Sequence, residues 1–339
     1  MHVTRNLQPE ALLTRDMRLS VKEAEAGQML AGYLASRFTY HDRSAWCRLI
    51  DEGRVTLNGT SAEAEHRLAA GDLIRYDASG IPEPPVEDTF SAVWEDEHLL
   101  VVNKSGNLPC HPGGRYFNHT LWAMLKTRCG LERPVFVNRL DRETSGVVLV
   151  AKTRRAAVDL WRQFAAHQVG KRYTVFVEGL FPERIDASGW LLPDTASAIR
   201  KKRCWISADV AEAAPTPDAE WCETALMRVS CGSGICRVTA EPRTGRLHQI
   251  RATLCSLGFP VVGDKVYGVD ETAFLRFCTD SLAEDDCMRL RTKRQALHAA
   301  WLRFRHPVTQ SWTEVEAPLP SDMAVLDGLC HSPKTSTSV

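Results

Sequence analysis

The sequence has no surplus of either charge. Lys and Arg together number 42 and Asp and Glu 42 among 339 residues, so the formal net charge is zero. Taken alone, that balance argues against a polycation that coats nucleic acid or membrane without selectivity. There is no apolar run near the roughly 20 residues needed to span a bilayer, so no membrane association is expected. No internal repeat is visible. The opening MHVTRNLQPE has a His and an Arg but no apolar stretch after them, so it does not read as a signal peptide. No pair of cysteines has C-x-x-C spacing. The 11 cysteines are odd in number and scattered, and only Cys231 and Cys236 lie close together, with no His at ligand spacing beside them. A zinc site and a disulfide-stapled scaffold are both disfavoured, and buried reduced thiols in a cytoplasmic compartment are expected. What remains is ordinary globular composition, 44% hydrophobic and 25% charged. That is enough chain for one large domain or two unequal ones.

Along the chain, residues 1–20 read as a loose leader. Leu30, Leu34 and Phe38 recur at helical spacing, and Trp46, Leu49 and Ile50 share a second helical face that Gly53 can stop. RVTLNG (54–59) reads as a strand ending in an Asn-Gly turn, and DLIRYD (72–77) as another. These elements predict a compact module over 20–77. The proline-rich 78–90 reads as an extended linker. A larger domain over 91–320 follows. Its strands are expected in 91–104, VFVNRL, GVVLVAK, YTVFVEG and CRVTAEP, and its helices over 154–168 and 247–257. GVVLVAK is apolar without alternation, as for a strand covered on both faces. Residues 183–223 lack a clear period and read as an insertion or a long hairpin. Residues 321–339 are expected to be a flexible tail.

The neutral total conceals segregation. Residues 139–172 carry eight basic and three acidic side chains, and RKKR (200–203) adds four more bases. Residues 81–97 carry six acids and 207–223 five, with no base in either. Clustered bases can neutralise RNA phosphates, although charge alone is also met by an ordinary solvated surface.

Four stretches carry the chemistry. In NRLDRETSGVVLVAKT (138–153), Asp141 stands between Arg139 and Arg142, ahead of a Thr-Ser-Gly turn and a buried strand. Nearby guanidinium groups favour an ionised carboxylate, suited to nucleophilic or base work, whereas an isolated R-L-D is more often a surface ion pair. In EPRTGRLHQIRATLCSLGFPVVGDKVYG (241–268), a Thr-Gly turn leads into a helix. Arg246, His248, Gln249 and Arg251 cluster around its first turn and a half. Such an end can receive phosphate or pair a catalytic carboxylate, or it can simply be a polar helix end. The following G-D-x-x-Y-G needs only a turn as its explanation. VVNKSGNLPCHPGGRYFNHTL (101–121) presents Lys104, His111 and Arg115 on tight turns. GKRYTVFVEG (170–179) opens a strand with Tyr173, an ordinary place for a core or edge aromatic.

Together and in this order, these stretches resemble the RluA family of pseudouridine synthases over about residues 90–320. Residues 28–77 resemble the S-four-type RNA-binding module. The resemblance implies an α+β fold: a mixed, mostly antiparallel central sheet flanked by helices, preceded by a small α/β RNA-binding module. It implies an isomerase that converts uridines of ribosomal or transfer RNA to pseudouridine with no cofactor or metal. The partner is RNA, and a monomeric cytoplasmic enzyme is expected. By the same resemblance Asp141 is the essential aspartate, Arg246 the base that pairs with it, and Tyr173 the aromatic that stacks on the target base. Arg139 lies near the flipped nucleotide, and Arg142, His111, Arg115, Lys104, His248, Gln249 and Arg251 are expected on RNA. Asn138 stands where many members have His, and Ser105 where K-P-x-G has Pro. A uridine must leave the stack to be isomerised. Two other readings follow the same residues: a non-catalytic RNA-binding or ribosome-assembly protein on this fold, and a nucleoside glycosidase, for which no paired acid carboxylate is evident near Asp141.

Overall fold

The structure, a computed structural model, describes residues 12–331 apart from 39, 212, 213, 215, 269, 279 and 280. The chain divides into two compact units. Within the described residues the smaller comprises 12–86 and 111–132, and the larger 87–110 and 133–331.

The smaller unit is a four-stranded antiparallel sheet covered by helices. Its elements are β1 (Asp16–Ser20), α1 (Leu30–Arg37), α2 (Arg43–Asp51), β2 (Val55–Leu57), β3 (Thr60–Ser61), β4 (Leu73–Asp77) and α3 (Leu121–Thr127), with strand order β1-β4-β2-β3. Asp42 caps α2 by accepting from the Ala45 amide at 2.7 Å. Trp46, Leu30, Leu34, Val55, Ile74 and Tyr76 are fully buried together. The expected loose leader thus contains a strand, because β1 completes the sheet along β4.

Residues 111–132, assigned from sequence to the larger domain, belong to this unit. Glu83 accepts hydrogen bonds from the amides of Phe117, Asn118 and His119 at 2.6, 2.8 and 3.0 Å. Buried Arg15 donates to the Gly114 carbonyl at 3.0 Å. The proline-rich stretch is irregular backbone, yet its acidic side chain is a fixed clamp rather than part of a free tether.

The larger unit is one eleven-stranded sheet. In chain order it runs β5 (Phe90–Glu95), β6 (Leu99–Lys104), β7 (Val135–Phe136), β8 (Ser145–Ala151), α4 (Arg154–Ala165), β9 (Gly170–Glu178), β10 (Arg184–Pro193), β11 (Arg203–Ser207), β12 (Glu220–Gly232), β13 (Ile235–Pro242), α5 (Gln249–Ser256), α6 (Thr272–Cys278), α7 (Glu284–Leu290), β14 (Leu297–Arg305), β15 (Trp312–Glu316) and α8 (Ser321–His331). The strand order is β11-β10-β12-β13-β9-β14-β8-β6-β5, with β15 on β14 and β7 on β8. Every pairing is antiparallel except the two-residue β14·β8 contact. The fold is therefore α+β with a mixed, mostly antiparallel sheet.

Several expectations change in detail. The single strand expected over 91–104 is a hairpin, and VFVNRL keeps strand pairing only at Val135 and Phe136. The stretch 183–223 supplies β10, β11 and the start of β12, all in the main sheet. Residues 321–331, expected as flexible tail, form α8, whose Met323, Leu326 and Cys330 are buried against Phe176, Ile235 and Val262. Residues 332–339 of that expected tail lie outside the described residues. Cys231 and Cys236, expected as reduced thiols, face each other across the β12–β13 hairpin and are joined in a disulfide. Register brings these two sulfurs together, which spacing in sequence did not show. Among the described residues no helix is long and apolar enough to cross a membrane.

Candidate active site

Asp141 sits on the loop that feeds β8, a strand buried at all seven positions. The strand begins at a crossing too tight for a side chain. Gly146 has φ +112°, and a Cβ there would lie 2.2 Å from the Ala299 carbonyl oxygen. The loop is held from within. Asn138 accepts from the Leu149 amide at 2.7 Å and donates to the Val147 carbonyl at 3.3 Å, standing in for a strand partner.

The flanking residues are held by buried cations. Lys104 and the Leu108 amide donate to the Arg142 carbonyl at 3.2 and 2.9 Å. Arg294 donates to the Glu143 carbonyl at 2.9 Å, and Lys265 to the Glu143 carboxylate at 2.9 Å. Gln295 donates to Thr144 Oγ1 at 2.6 Å.

The strand row adds Tyr173. Tyr173 pairs with Ala299, and Ala299 pairs with Gly146, so one row crosses β9, β14 and β8 toward the aspartate loop. Its neighbours across both ladders, Ala240 and Ala299, are small and leave space for the ring. Burial, with the Asp141 charge adding to it, pushes the Tyr173 phenol up to about 12. It is therefore neutral near pH 7.

Arg251, in the first turn of α5, is the cation on the aspartate. Its Nη1 donates to Asp141 Oδ2 at 2.8 Å. Its Nε and Nη2 make a bidentate pair with Asp264 at 2.7 and 2.8 Å. Asp264 is fully buried and also accepts from the Val266 and Tyr267 amides. The Tyr267 ring lies 5.0 Å from the guanidinium. Burial opposes the charge on Asp141. Arg251, His248 and the Gln295 side chain outweigh it and hold the carboxyl below its ordinary value. The G-D-x-x-Y-G turn thus supplies both the carboxylate and the ring that seat Arg251. The sequence signal was Asp264 itself, a carboxylate beside Lys265 in an otherwise apolar stretch.

His248 caps α5 in a left-handed conformation, φ 57°. Its Nε2 is 3.9 Å from Asp141 Oδ1 and its Nδ1 is 3.0 Å from Tyr267 Oη. Burial and the positive charges of Arg251 and Lys201 push the imidazole down to about 4, so it is neutral near pH 7.

The remaining candidates divide. Arg246 does not reach Asp141. It lies in the exposed turn before α5, donating to the Trp221 carbonyl at 3.2 Å and pairing with Glu220 at 3.5 Å. Its expected place on the aspartate is taken by Arg251, because the helix starts at Gln249 and turns position 251 inward. Arg251, expected on RNA, is therefore buried in ion pairs.

Gln249 is also buried, bonded to Thr244, Thr224 and the Glu223 carbonyl, and Lys104 is fully buried under the aspartate loop. Neither presents itself to RNA. Arg139 is exposed at the loop. Arg142 is half-buried, 3.3 Å from Glu143 and stacked 5.0 Å from the Phe277 ring. His111 and Arg115 belong to the smaller unit. Among the described residues no group of His, Cys, Asp and Glu is arranged to hold a metal.

A half-buried aspartate held ionised by an arginine, with a neutral tyrosine on the adjoining strand row and a mostly antiparallel sheet beneath, defines an isomerase of the pseudouridine synthase class. Comparison with known proteins agrees. A family profile described as RNA pseudouridylate synthase matches residues 98–256. Ribosomal large subunit pseudouridine synthase D of Zymomonas mobilis is 32% identical over 91% of this chain and 96% of its own length. The mitochondrial tRNA pseudouridine(32) synthase of Saccharomyces cerevisiae is 31% identical over 75% of this chain and 53% of its own length. The solved structure of human RNA pseudouridylate synthase domain containing 1 shares the fold, with a TM-score of 0.53, 24% identity and coverage of 74% of this chain and 99% of that one. The chain belongs to the RNA pseudouridylate synthase family.

Proposed function

We propose that this RNA pseudouridine synthase acts on large-subunit ribosomal RNA, as a cytoplasmic monomer, through Asp141 as its essential group. The pairing of Arg251 with Asp141 at 2.8 Å carries this reading. A carboxylate kept ionised and still partly open to solvent is poised to attack the substrate or to take a proton, with one oxygen engaged and the other turned toward His248. Tyr173, neutral and on the adjoining strand row, is the face on which a flipped uracil stacks. Arg139, exposed on the same loop, is suited to the phosphate or to the space the base leaves. The choice of ribosomal RNA is supported by the names of relatives that align over most of this chain. The four-stranded smaller unit serves as an S-four-type RNA-binding module, a role suited to its helix-covered sheet.

The test is to compare pseudouridine in total RNA of cells with and without the gene, together with turnover by Asp141→Asn on the identified RNA. Loss of defined large-subunit sites, restored by the native protein and not by Asp141→Asn, is the expected result. Loss confined to transfer RNA would move the substrate to that class. Full turnover by Asp141→Asn would remove the aspartate from its role.

A further inference from the structure

His248 holds a strained backbone at the N-terminus of α5, and its two ring nitrogens face different partners. Nδ1 is 3.0 Å from Tyr267 Oη. Tyr267 Oη also accepts from the Arg203 amide at 2.8 Å. An amide can only donate, so that bond uses an oxygen lone pair and leaves the phenolic proton to be placed. Tyr267 is buried, and among the described residues His248 Nδ1 is the acceptor at hydrogen-bond distance from its hydroxyl. The phenolic proton therefore points at Nδ1, and the imidazole carries its own proton on Nε2. Nε2 in turn faces Asp141 Oδ1 across 3.9 Å. That separation is too long for a direct hydrogen bond, and an oxygen can sit between the two at about 2.8–3.0 Å from each. The other carboxylate oxygen, Oδ2, is already held by Arg251.

We propose that His248 is a neutral hydrogen-bond donor to the target uridine: its Nε2–H, set by Tyr267, holds an acceptor oxygen of that nucleotide against Asp141 Oδ1. The proposal rests on Asp141 as the reacting group. It makes His248 a catalytic residue and Tyr267, through its hydroxyl, a positioning residue. The relay begins at the Arg203 amide on β11, so the stretch 183–223 that lacked a sequence period contributes to the centre. The oxygen held is the ribose 2′-hydroxyl, which can accept from Nε2–H and donate its own proton to Asp141 Oδ1, whereas a uracil carbonyl has no proton to offer that carboxylate. A left-handed backbone is uncommon for a residue other than glycine, and here the Nδ1 bond to Tyr267 helps to hold it.

Two measurements test this. The first is nitrogen NMR of the free, full-length protein labelled in histidine. Nδ1 of His248 is expected unprotonated and Nε2 protonated near pH 7, with both forms populated in Tyr267→Phe. A protonated Nδ1 in the native protein overturns the proposal. This readout does not depend on catalysis, so it stands apart from any failure of the functional reading.

The second is single-turnover pseudouridine formation by His248→Ala and His248→Gln. These bear similar backbone cost at φ 57°, and only the Gln amide replaces the donor. The expected rates are about 100-fold below native for Ala and within about tenfold for Gln, with RNA affinity unchanged. Equal losses in the two, or an Ala variant near the native rate, overturn the donor role. A target carrying 2′-deoxyuridine should remove the difference between Ala and Gln, and a difference that persists on that target overturns the 2′-hydroxyl as the oxygen held.

Discussion

At the residue scale, two arginines of one motif have opposite fates. Arg246 is exposed and paired with Glu220, while Arg251 is buried between Asp141 and Asp264. Lys in place of Arg251 keeps the charge but cannot bond both carboxylates with a planar fork. Arg251→Lys should lower the single-turnover rate by at least 100-fold and destabilise the fold by about 3 kcal/mol, since it weakens a buried pair. Arg246→Lys should stay within a fewfold of native. Rate and urea midpoint measured side by side check this, and the reverse ranking would restore Arg246 to the aspartate.

The pH response follows with a definite sign. Arg251 holds the Asp141 carboxyl below its ordinary value, so the reactive, ionised form survives into acid. Without that cation the carboxyl rises, and the acid limb of the Arg251→Gln pH–rate profile should move to higher pH. An unmoved limb would separate the limb from Asp141.

The motif's cations were legible in sequence, and so was their clustering on one helical end. Which of them turned inward was not. That depended on the helix starting at Gln249 after a left-handed His248, and no spacing rule supplies that offset. The same limit hid Asp264, whose partner lies 13 residues earlier on α5.

At the element scale, buried strands and capped helices were readable because their signals are local. GVVLVAK is apolar throughout and forms the fully buried β8, and Trp46 marks the core face of α2. The elements that escaped are those specified by partners far along the chain. The strands β10 to β12 carry mixed residues because they lie toward the sheet edge, with a different environment on each face.

Helix α8 was hidden because apolar residues lie on both of its sides, Met323, Leu326 and Cys330 inward and Val325 and Leu329 outward, so no apolar stripe stands out in the sequence. It also reaches the site. Asp322 makes a bidentate pair with Arg294 at 2.6 and 2.9 Å, and Arg294 donates onward to the Glu143 carbonyl beside the aspartate loop. Gly106 makes room for this guanidinium, since a Cβ there would lie 2.3 Å from Arg294 Cδ. Deleting residues 321–339 would expose the faces that Met323 and Leu326 cover, at a cost of roughly 3–6 kcal/mol. It would also leave Arg294 without its anchor. The expected outcome is a lower urea midpoint together with faster amide exchange at residues 141–145. An unchanged midpoint would mean that the helix adds nothing to the core.

At the scale of the whole molecule, the zero net charge changes meaning once the strands are paired. The segregation along the chain is partly undone in space. Glu220 and Glu223 of β12, from an acidic run, pair with Arg246 and Arg243 of the basic motif, and Lys202 of RKKR pairs with Glu271. The surface is thus less polarised than the sequence, consistent with selective rather than charge-dominated RNA binding.

The division into units also departs from the order of the chain. Residues 111–132 leave the larger unit and are pinned within the smaller one by Glu83, from the proline-rich stretch. A boundary drawn at residue 90 would cut them from the clamp that orders them. Three amides converging on one carboxylate are charge-assisted bonds, and removing the acceptor leaves three donors without a partner. In the full-length protein, Glu83→Ala should cost the smaller unit about 2–4 kcal/mol. Amide exchange should then quicken across residues 117–127 and the sheet of β1 to β4, while β8 and β9 keep their protection. Native protection at residues 117–119 in the variant would show that Glu83 does not hold them. An equal loss of protection in β8 would instead make the two units a single cooperative body.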